Sequence, residues 1–382
     1  MYKNKIKIEP NNISTYMDNI YYCKITKNGD GLCNQLFSLV TGIILAIKSH
    51  KKIIVVDKFL NDYKSNSYSY ISEILNIDKL NEFLHSKYNI YICDRKKAKL
   101  TIHQINYGTH ETKLDITNII LEKYYKTNLL HVPAGINLNI LAQEDPFPFH
   151  KKYVFVSYSI GNHLLEEIFD EEYSFLKQTI HINLFNPEYI RIFGWINAID
   201  KNLFDDILGN LTFVDLFSTL TDMFMNNKQI NPANKINVLH LRLEQDAIDH
   251  WSKMNSMEPN IFKYIIEQTY IKLIKRYVGK DEMNVILSYS TQNSVIDFLK
   301  ANQYLYCFTD KLNIGREINA AIDLNIGCHL CNNLFIGNFD MFHLNGSSLS
   351  YYLINKYKSN PSIKMALINL DHILNVEQKI NL

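Results

Sequence analysis

Residues 285–338 decide the fold of this chain; they read VILSYSTQNSVIDFLKANQYLYCFTDKLNIGREINAAIDLNIGCHLCNNLFIGN. Three short apolar runs in this stretch are typical of buried strands, and two segments between them carry apolar residues at helical spacing. The predicted strands and helices alternate in the order 285–289, 294–300, 304–308, 316–330 and 334–337. This alternation predicts a mostly parallel sheet with helices on both faces.

The same alternation extends to both sides of that stretch. Upstream, residues 236–241 form a predicted strand and residues 261–277 a long predicted helix; downstream, residues 350–357 form another predicted helix. These elements predict a C-terminal Rossmann-like domain, which we assign to residues 229–382.

The first half of the chain begins with a strand–turn–helix–strand unit. A strand is predicted at 20–26, a glycine-containing turn at 27–31 and a buried strand at 53–56. Between them, apolar residues recur at helical spacing from Leu36 to Ile47, and Asn34 is expected to cap that helix. The unit has the ordinary size of a βαβ motif.

Farther along, a strand is predicted at 153–158 and a helical region at 203–225. We therefore predict an N-terminal Rossmann-like domain over residues 1–228. The fold class is α/β, with two Rossmann-like domains whose mostly parallel sheets face each other across a cleft. Ligands of open α/β sheets bind beyond the carboxyl ends of the strands, so the chemistry is expected in the loops that follow strands.

Composition excludes several classes of protein. The 382 residues are 47% hydrophobic, and 40 basic against 39 acidic residues give a net charge of +1, so the chain is not disordered. The near-zero charge argues against nucleic acid and anionic membranes as partners. The longest aliphatic run, residues 36–47, is too short for a membrane span. With no signal peptide recognised and only six cysteines, we expect a cytoplasmic protein.

No metal site is expected. Cys328 and Cys331 have the spacing of a zinc or redox pair, but no second Cys/His pair follows at ligand distance.

The first candidate site lies after the strand at 236–241. His240 and Arg242 alternate with leucines, so they project from one face at the carboxyl end of the strand. An arginine there can bind a phosphate with two donors and offset charge on a leaving diphosphate without a metal. Glu244 and Asp246 can orient Arg242 or bind a sugar hydroxyl.

The second candidate site is the turn that contains Gly29, Asp30 and Gly31. Backbone N–H groups at such a strand-to-helix turn favour anions. The segment lacks the third glycine of a dinucleotide fingerprint and the Gly-Lys-Ser/Thr of a phosphate-binding P-loop. Asp30, held between two glycines, can act as a general base; helix capping is the alternative explanation of the segment.

The third candidate site is the serine-rich helix start near residue 347. Side-chain hydroxyls and free N–H groups at this start can hold a phosphate. Just upstream, Asp323 can accept hydrogen bonds from a guanine edge. The residues at the helix start are Ser347, Ser348, Leu349 and Ser350.

Taken together, these segments resemble the GDP-fucose-dependent protein O-fucosyltransferase superfamily, including its plant O-fucosyltransferase-like group. The resemblance rests on the order GDGLCNQ at 29–35, HLRLEQD at 240–246 and EINAAID at 317–323, followed by FIGN and SSLS. It covers about a third of the chain and implies a GT-B architecture with inverting, metal-independent sugar transfer. The implied co-substrate is a nucleotide sugar, with GDP-fucose as the leading hypothesis; no cofactor is implied. The resemblance also implies that residues 229–382 are the nucleotide-sugar-binding domain and residues 1–228 the acceptor-side domain.

The resemblance also implies roles for individual residues. Arg242 would bind the donor diphosphate and help the nucleotide leave, with His240 lining the same site. Asp323 would contact the base, and Asn34 would line the cleft. The helix-start residues 347–350 would bind the phosphates, and Asp30 stands where some members have a glutamate base.

Departures from the family pattern leave alternatives open. Leu349 replaces a frequent phenylalanine, and Tyr289-Ser290-Thr291-Gln292 replaces an acidic Thr-Asp-Glu. The HLRLEQD form is closest to the plant-like group, some of whose members use UDP-rhamnose. UDP-rhamnose, GDP-mannose and a non-catalytic nucleotide- or sugar-binding module therefore remain alternatives. Relatives usually act in the secretory pathway behind a signal or anchor, whereas no signal peptide is recognised in this sequence. We therefore expect a cytosolic enzyme of a microbe or large virus that transfers sugar to a protein or glycan.

Overall fold

The structure is a computed structural model, and some segments of the chain fall outside the part that it describes. It describes residues 19–25, 31–62, 64–145, 147–184, 190–191, 200–341, 345–370, 373 and 377–380. Within these ranges the strands are β1 (Ile20–Lys24), β2 (Ile53–Val56), β3 (Phe59–Asp62), β4 (Ser67–Ser69), β5 (Tyr91–Asp94), β6 (Leu100–Gly108), β7 (Lys113–Asp115), β8 (Tyr125–Lys126), β9 (Leu129–Val132), β10 (Tyr153–Ile160), β11 (His163–Glu172), β12 (Phe175–Leu176), β13 (Ile180–Asn183), β14 (Ile190–Arg191), β15 (Ile236–His240), β16 (Met283–Leu287), β17 (Tyr306–Phe308), β18 (Leu334–Gly337), β19 (Phe339–Asp340), β20 (Asn345–Gly346), β21 (Lys364–Ile368) and β22 (Glu377–Ile380).

The helices in the same part of the chain are α1 (Leu32–Lys48), α2 (Ile71–Ile74), α3 (Ile77–Tyr88), α4 (Thr117–Tyr124), α5 (Leu138–Ala142), α6 (Lys201–Asn210), α7 (Asp215–Asn227), α8 (Gln245–Met254), α9 (Pro259–Tyr277), α10 (Ser294–Ala301), α11 (Arg316–Leu330) and α12 (Ser348–Tyr357).

The chain divides into two compact units, each built from separated stretches of sequence. Unit 1 comprises residues 1–25, 42–58 and 77–192, and unit 2 comprises residues 26–41, 59–76 and 193–382. The border predicted between 228 and 229 differs from this division, because α6 and α7 belong to unit 2. There Asp205 on α6 accepts a hydrogen bond of 2.5 Å from the Tyr351 hydroxyl, and Thr221 on α7 accepts one of 2.8 Å from the Asn325 side chain.

Unit 2 contains a six-stranded sheet with the order β17-β16-β15-β18-β21-β22. Its first five strands are parallel, and β22 runs antiparallel at the edge. Numbered along the chain, the parallel strands follow the order 3-2-1-4-5, which is that of a doubly wound sheet. The α/β class with a parallel sheet is therefore confirmed for this region.

The strands of this sheet are apolar because helices cover them. Every residue of β15 and β18 is buried, as expected for parallel strands that lose contact with water on both sides. On one face, Leu239, Ile286 and Ile336 of three adjacent strands pack into a common core with Phe262 and Tyr270 of α9.

Unit 1 combines two kinds of sheet. One is a parallel sheet with the order β14-β1-β2-β5, and the other is an antiparallel sheet with the order β12-β11-β10-β6-β7. A third, smaller sheet joins β13, β9 and β8. The parallel sheet matches the predicted βαβ motif, whereas of the antiparallel sheet the sequence predicted only the strand at 153–158. Ile53 and Val55 of the parallel sheet share a core with Tyr107 and Tyr158 of the antiparallel sheet.

Most elements predicted for the second half are confirmed, including α9 to α12 and β15 to β18. Two predictions were incomplete: the helical region 203–225 is two helices, α6 and α7, and α8 was not predicted. The expectation that Asn34 caps the first helix was wrong. The helix begins at Leu32, whose N–H is bonded by the carboxylate of Glu317 from α11, so Asn34 lies inside the first turn.

All six cysteines are free thiols. In the described part of the chain, no three His, Cys, Asp or Glu side chains are grouped so that they could hold a metal ion. Among the same residues, no helix combines the length and apolar character needed to cross a membrane.

Candidate functional site

The carboxyl ends of β15 and β18 lie side by side in the middle of the unit 2 sheet. From β15 the chain proceeds to β16 on one side, and from β18 it proceeds to β21 on the other. Strand order reverses at this point, and ligands of doubly wound sheets bind in the crevice beyond such strand ends. The candidate site is therefore the set of side chains at this edge of the sheet, which we call the crevice.

Polar contacts join the two strand ends. The side chain of Asn338, which follows β18, donates to the His240 carbonyl over 3.0 Å. The Tyr270 hydroxyl donates to Asn338 Oδ1 over 2.6 Å and accepts from the Arg242 amide over 3.1 Å. Because Asn338 and Tyr270 are fully buried, these bonds give the crevice a rigid base.

His240 is buried at the end of β15 and is neutral. Its Nδ1 lies 2.8 Å from Oγ of Ser350, and that Oγ accepts a bond of 2.9 Å from the Asn338 amide. Burial, and then the charges of Arg242 and Lys311, lower the pKa of His240 to about 3. A neutral ring that accepts the Ser350 hydroxyl at Nδ1 carries its hydrogen on Nε2.

Arg242 follows β15, and its side chain is one-quarter exposed. Nη1 donates to Glu244 over 2.9 Å, and Nη2 donates to Asp246 over 3.3 Å. Glu244 in turn accepts the backbone N–H of Tyr289 over 3.3 Å. The two carboxylates hold the guanidinium in place, and its five donors leave some for an anion.

Lys311 and Asp323 form an ion pair beside the same edge. The lysine Nζ lies 2.7 and 2.5 Å from the two carboxylate oxygens of the almost fully buried Asp323, and 4.7 Å from the centre of the Tyr289 ring. Burial raises the pKa of Asp323, while Lys311 opposes the rise. Both oxygens that were expected to contact a guanine edge are therefore bonded to Lys311.

A second buried carboxylate, Glu317, ties the start of α1 to α11. Its Oε2 accepts the Leu32 N–H over 2.6 Å, and its Oε1 lies 3.9 Å from Nε of Arg316. Burial raises the pKa of Glu317, against the Leu32 hydrogen bond and the charge of Arg316. Gly31 adjoins this carboxylate, since a Cβ at Gly31 would lie 3.7 Å from Oε2.

Two glycines precede the start of α12: Gly337 ends β18, and Gly346 ends β20. A Cβ on Gly337 would lie 2.8 Å from Ser350 Oγ, so the helix packs closely on the end of β18. Gly346 has a φ of +130°, and a Cβ there would lie 2.8 Å from the Asn338 carbonyl. Ser347 caps the helix without a side-chain capping bond, and residues 347–349 are half-buried. The first N–H groups of α12 thus form a positive helix terminus at the crevice.

The structure brings together most of the residues singled out in the sequence. The crevice collects His240, Arg242, Glu244, Asp246, Asp323 and residues 347–350, and Gly31 lies at Glu317. Asn34 is exposed on α1, and its carbonyl accepts the Ser38 hydroxyl. Gly29 and Asp30 lie outside the described residues, so their roles stay predictions.

The sequence did not single out several residues that shape the crevice. They are Tyr270, Tyr289, Lys311, Glu317 and Asn338. Tyr289, Lys311 and Asn338 follow β16, β17 and β18, so the rule that ligands bind beyond strand ends contained a signal for them. Nothing in the sequence connected Glu317 with Leu32, because 285 positions separate them.

No protein-family model matches this chain, and no curated protein matches its sequence. Solved structures match it over most of its length. One is NodZ alpha-1,6-fucosyltransferase soaked with GDP-fucose, with a TM-score of 0.47 and 10% identity over 95% of this chain and 99% of that one.

A second is POFUT1 in complex with GDP-fucose, with a TM-score of 0.46 and 13% identity over 91% of this chain and 97% of that one. A third is the fucosyltransferase NodZ from Bradyrhizobium, with a TM-score of 0.45 and 11% identity over 93% and 96% of the two chains. All three matches extend over more than nine-tenths of both chains, at TM-scores below 0.5.

Proposed function

We propose that this protein is an inverting, metal-independent glycosyltransferase that moves fucose from GDP-fucose to a hydroxyl of a protein or glycan. A GT-B architecture, in which two Rossmann-like domains face each other across a cleft, belongs to the same proposal. The observation that carries it is the convergence of Arg242, the neutral His240 and the start of α12 at the switch point of the parallel sheet.

The proposed role of Arg242 follows from its chemistry. Transfer of the sugar leaves a nucleoside diphosphate whose negative charge grows in the transition state. A guanidinium keeps its proton at any physiological pH and can bind two phosphate oxygens at once. Glu244 and Asp246 fix its orientation in advance, so it stabilises the leaving group without rearranging.

The start of α12 is proposed to hold the phosphates. Its unbonded N–H groups and the positive end of the helix dipole favour an anion. His240 links this helix to Arg242, since it bonds Ser350 and precedes Arg242 by two residues. A neutral imidazole with hydrogen on Nε2 supplies one further donor.

The base is proposed to meet the pair formed by Lys311 and Asp323. An ammonium beside a carboxylate offers a donor and acceptors together, as the O6, N1–H and N2–H₂ edge of guanine requires. A uracil edge has one N–H instead of two donor groups and would use the carboxylate less fully. Asp30 is proposed as the general base that activates the acceptor hydroxyl.

Nucleotide-dependent thermal unfolding tests the proposal. A ligand at about 100 times its dissociation constant adds about 2.7 kcal/mol to the free energy of unfolding. We expect GDP to raise the melting temperature of the wild type more than UDP or ADP does, and to have no such effect on Arg242→Ala. Arg95→Ala is the matched control, because Arg95 also pairs with a carboxylate, Asp57, at 2.8 Å but belongs to unit 1.

The other outcomes separate the alternatives. Stabilisation by UDP alone would replace GDP-fucose by a donor such as UDP-rhamnose. Stabilisation by GDP without any sugar transfer from GDP-fucose would favour a binding module, and Asp30→Asn would then behave as the wild type does. If no nucleotide stabilises a cooperatively folded sample, the assignment of the crevice as a donor site is wrong.

A further inference from the structure

We infer that unit 1 carries a binding site for neutral saccharide, separate from the crevice and independent of the proposed transfer reaction. The site is a depression of about 600 Å³ at one edge of the antiparallel sheet. Two loops form it: residues 147–151, which precede β10, and the turn between β11 and β12. The Phe149 and Tyr173 rings stand on these loops.

Both rings are presented to solvent. The side chain of Phe149 is fully exposed, and Tyr173 is 88% exposed. Large aromatic side chains normally contribute much of a protein's buried apolar area. Two exposed aromatic rings beside one depression therefore form a contact surface suited to a ligand.

The backbone is strained where the rings are displayed. Tyr173 and Ser174 form the two-residue turn between β11 and β12, and their φ angles are +52° and +71°. Positive φ at both positions is the geometry for which Asn-Gly is strongly preferred. Phe149 has a φ of +68°, which is rare for a bulky residue. Backbone strain of this kind is typically retained at functional sites.

A partly buried polar network fixes the two loops to each other. Lys152, whose side chain is 3% exposed, donates to Asp145 over 3.0 Å and to the Phe147 carbonyl over 3.3 Å. Asn139 donates to Asp145 over 3.1 Å and to the Ser174 hydroxyl over 2.8 Å. The loop of Phe149 and the turn of Tyr173 therefore rest on one frame, which positions the rings before a ligand arrives.

The charges of the depression select a neutral ligand. Its lining contains four carboxylates and three lysines, which leaves a formal charge of −1. Lys151 and Asp170 already pair at 3.4 Å across the lining. Phosphates would meet four carboxylates, and cations would meet three lysines, so neither is favoured.

A saccharide fits both features. The C–H face of a pyranose packs on an aromatic ring, and its hydroxyls can donate to carboxylates and accept from ammonium groups. We therefore assign the depression to a neutral oligosaccharide, with the Phe149 and Tyr173 rings as its contact surfaces.

Ligand-observed saturation-transfer NMR on the full chain tests the assignment, with maltotriose, chitotriose, mannotriose and lactose as neutral probes. We expect at least one of them to bind through its ring C–H protons. Phe149→Asn and Tyr173→Asn should each weaken that binding about tenfold. Because asparagine tolerates positive φ, neither variant should lower the melting temperature. Tyr173→Phe should keep the binding, and Tyr264→Ala, which removes an exposed tyrosine on α9, should not affect it.

The assignment is overturned if none of the probes binds, if the double variant Phe149→Asn/Tyr173→Asn binds them as the wild type does, or if only a heparin oligosaccharide binds. Arg242→Ala separates this proposal from the transferase proposal. It should lose stabilisation by GDP and keep saccharide binding; loss of saccharide binding in Arg242→Ala alone would move the sugar to the crevice.

Discussion

The parallel sheet of unit 2 and the antiparallel sheet of unit 1 place their polar side chains differently. In unit 2 all carboxyl ends of β15 to β18 point to one edge, so Arg242, Lys311 and Asn338 meet although they are far apart in sequence. In the antiparallel sheet of unit 1 adjacent strands run in opposite directions, and the start of β10 therefore lies beside the end of β11. Lys152 and Glu171 face each other there at 3.6 Å.

This difference has a chemical consequence. A parallel sheet gathers the residues that follow successive strands, with helix starts beside them, into a site that suits anions. An antiparallel sheet gathers hairpin turns and strand ends, with no helix start required at the same edge. The two edges of this molecule should therefore respond differently to equivalent substitutions.

The largest expected difference concerns two paired arginines. Arg242→Ala should lower turnover by about 10²–10³-fold, because it removes a charge placed against the leaving group. Arg95→Ala, in unit 1, should leave turnover near the wild-type value, because exposed ion pairs contribute little. Steady-state rates with GDP-fucose measure both. Near-wild-type activity of Arg242→Ala would show that Arg242 contributes no more to turnover than Arg95 does.

The next difference concerns two lysines that pair with buried carboxylates. Lys311→Met removes the cation that pairs with Asp323, and Lys152→Met removes the cation that pairs with Glu171 and Asp145. Each should cost about 3 kcal/mol of unfolding free energy in urea titrations. Only Lys311→Met should also lose the rise in melting temperature with GDP. An equal loss in Lys152→Met would show that nucleotide binding does not depend on the crevice specifically.

Two glycines offer a smaller and more local comparison. Gly337→Ala places a Cβ 2.4 Å from the Phe335 ring and 2.8 Å from Ser350 Oγ, so we expect a loss of about 2 kcal/mol and weaker stabilisation by GDP. Gly135 in unit 1 has a φ of +78° and nothing within 4 Å of a Cβ. Gly135→Ala should cost only backbone strain, about 1 kcal/mol. Melting curves with and without GDP that ranked the two variants in the reverse order would contradict the close packing of α12 on β18.

The last expected effect is a pH dependence of stability. The pKa of His240 is about 3 in the folded protein and near 6.5 when unfolded, so between these values the unfolded state binds more protons. The stabilising contribution is complete above pH 6.5 and declines as the pH falls toward 3. From pH 7 to pH 5 the loss attributable to His240 is about 2 kcal/mol.

Urea titrations of wild type and His240→Gln at pH 7 and pH 5 give the change in unfolding free energy of each protein. The difference between the two changes is the contribution of His240. His163→Gln is the control from unit 1, where burial also lowers the pKa of a histidine, one that stacks on Tyr91. We expect a smaller change there because His163 is less completely buried. Parallel pH profiles of wild type and His240→Gln would mean that His240 is not neutral and buried as described.

The same contrast explains what the sequence could predict. β15 (INVLH) and β18 (LFIG) are short and mostly apolar, because helices cover both faces of a parallel strand. β11, with the sequence HLLEEIFDEE, has glutamates on both faces and only partial alternation, so its strand character depends on pairing with β10. α8 could have been found, since Ala247, Ile248 and Trp251 have helical spacing and are buried together.

For the crevice, the sequence identified side chains whose chemistry is visible in isolation, such as Arg242 and Asp323. It did not identify those that matter through a distant partner. Lys311 is one of many lysines until β17 places it on Asp323, and Glu317 resembles an ordinary first-turn acid of α11 until it bonds Leu32. The division into units could not be predicted from the order of the elements along the chain, because unit 2 includes residues 26–41 and 59–76 as well as the C-terminal half.

The bond between Leu32 and Glu317 has a consequence for the synthesis of the chain. A ribosome releases Leu32 early, but its partner emerges 285 residues later, after all of unit 1 has been made. The bond that holds the first turn of α1 can therefore form only after α11 has been made. An incomplete chain that stops before residue 317 lacks the crevice, so the proposed transferase activity would arise only in chains that have nearly been finished.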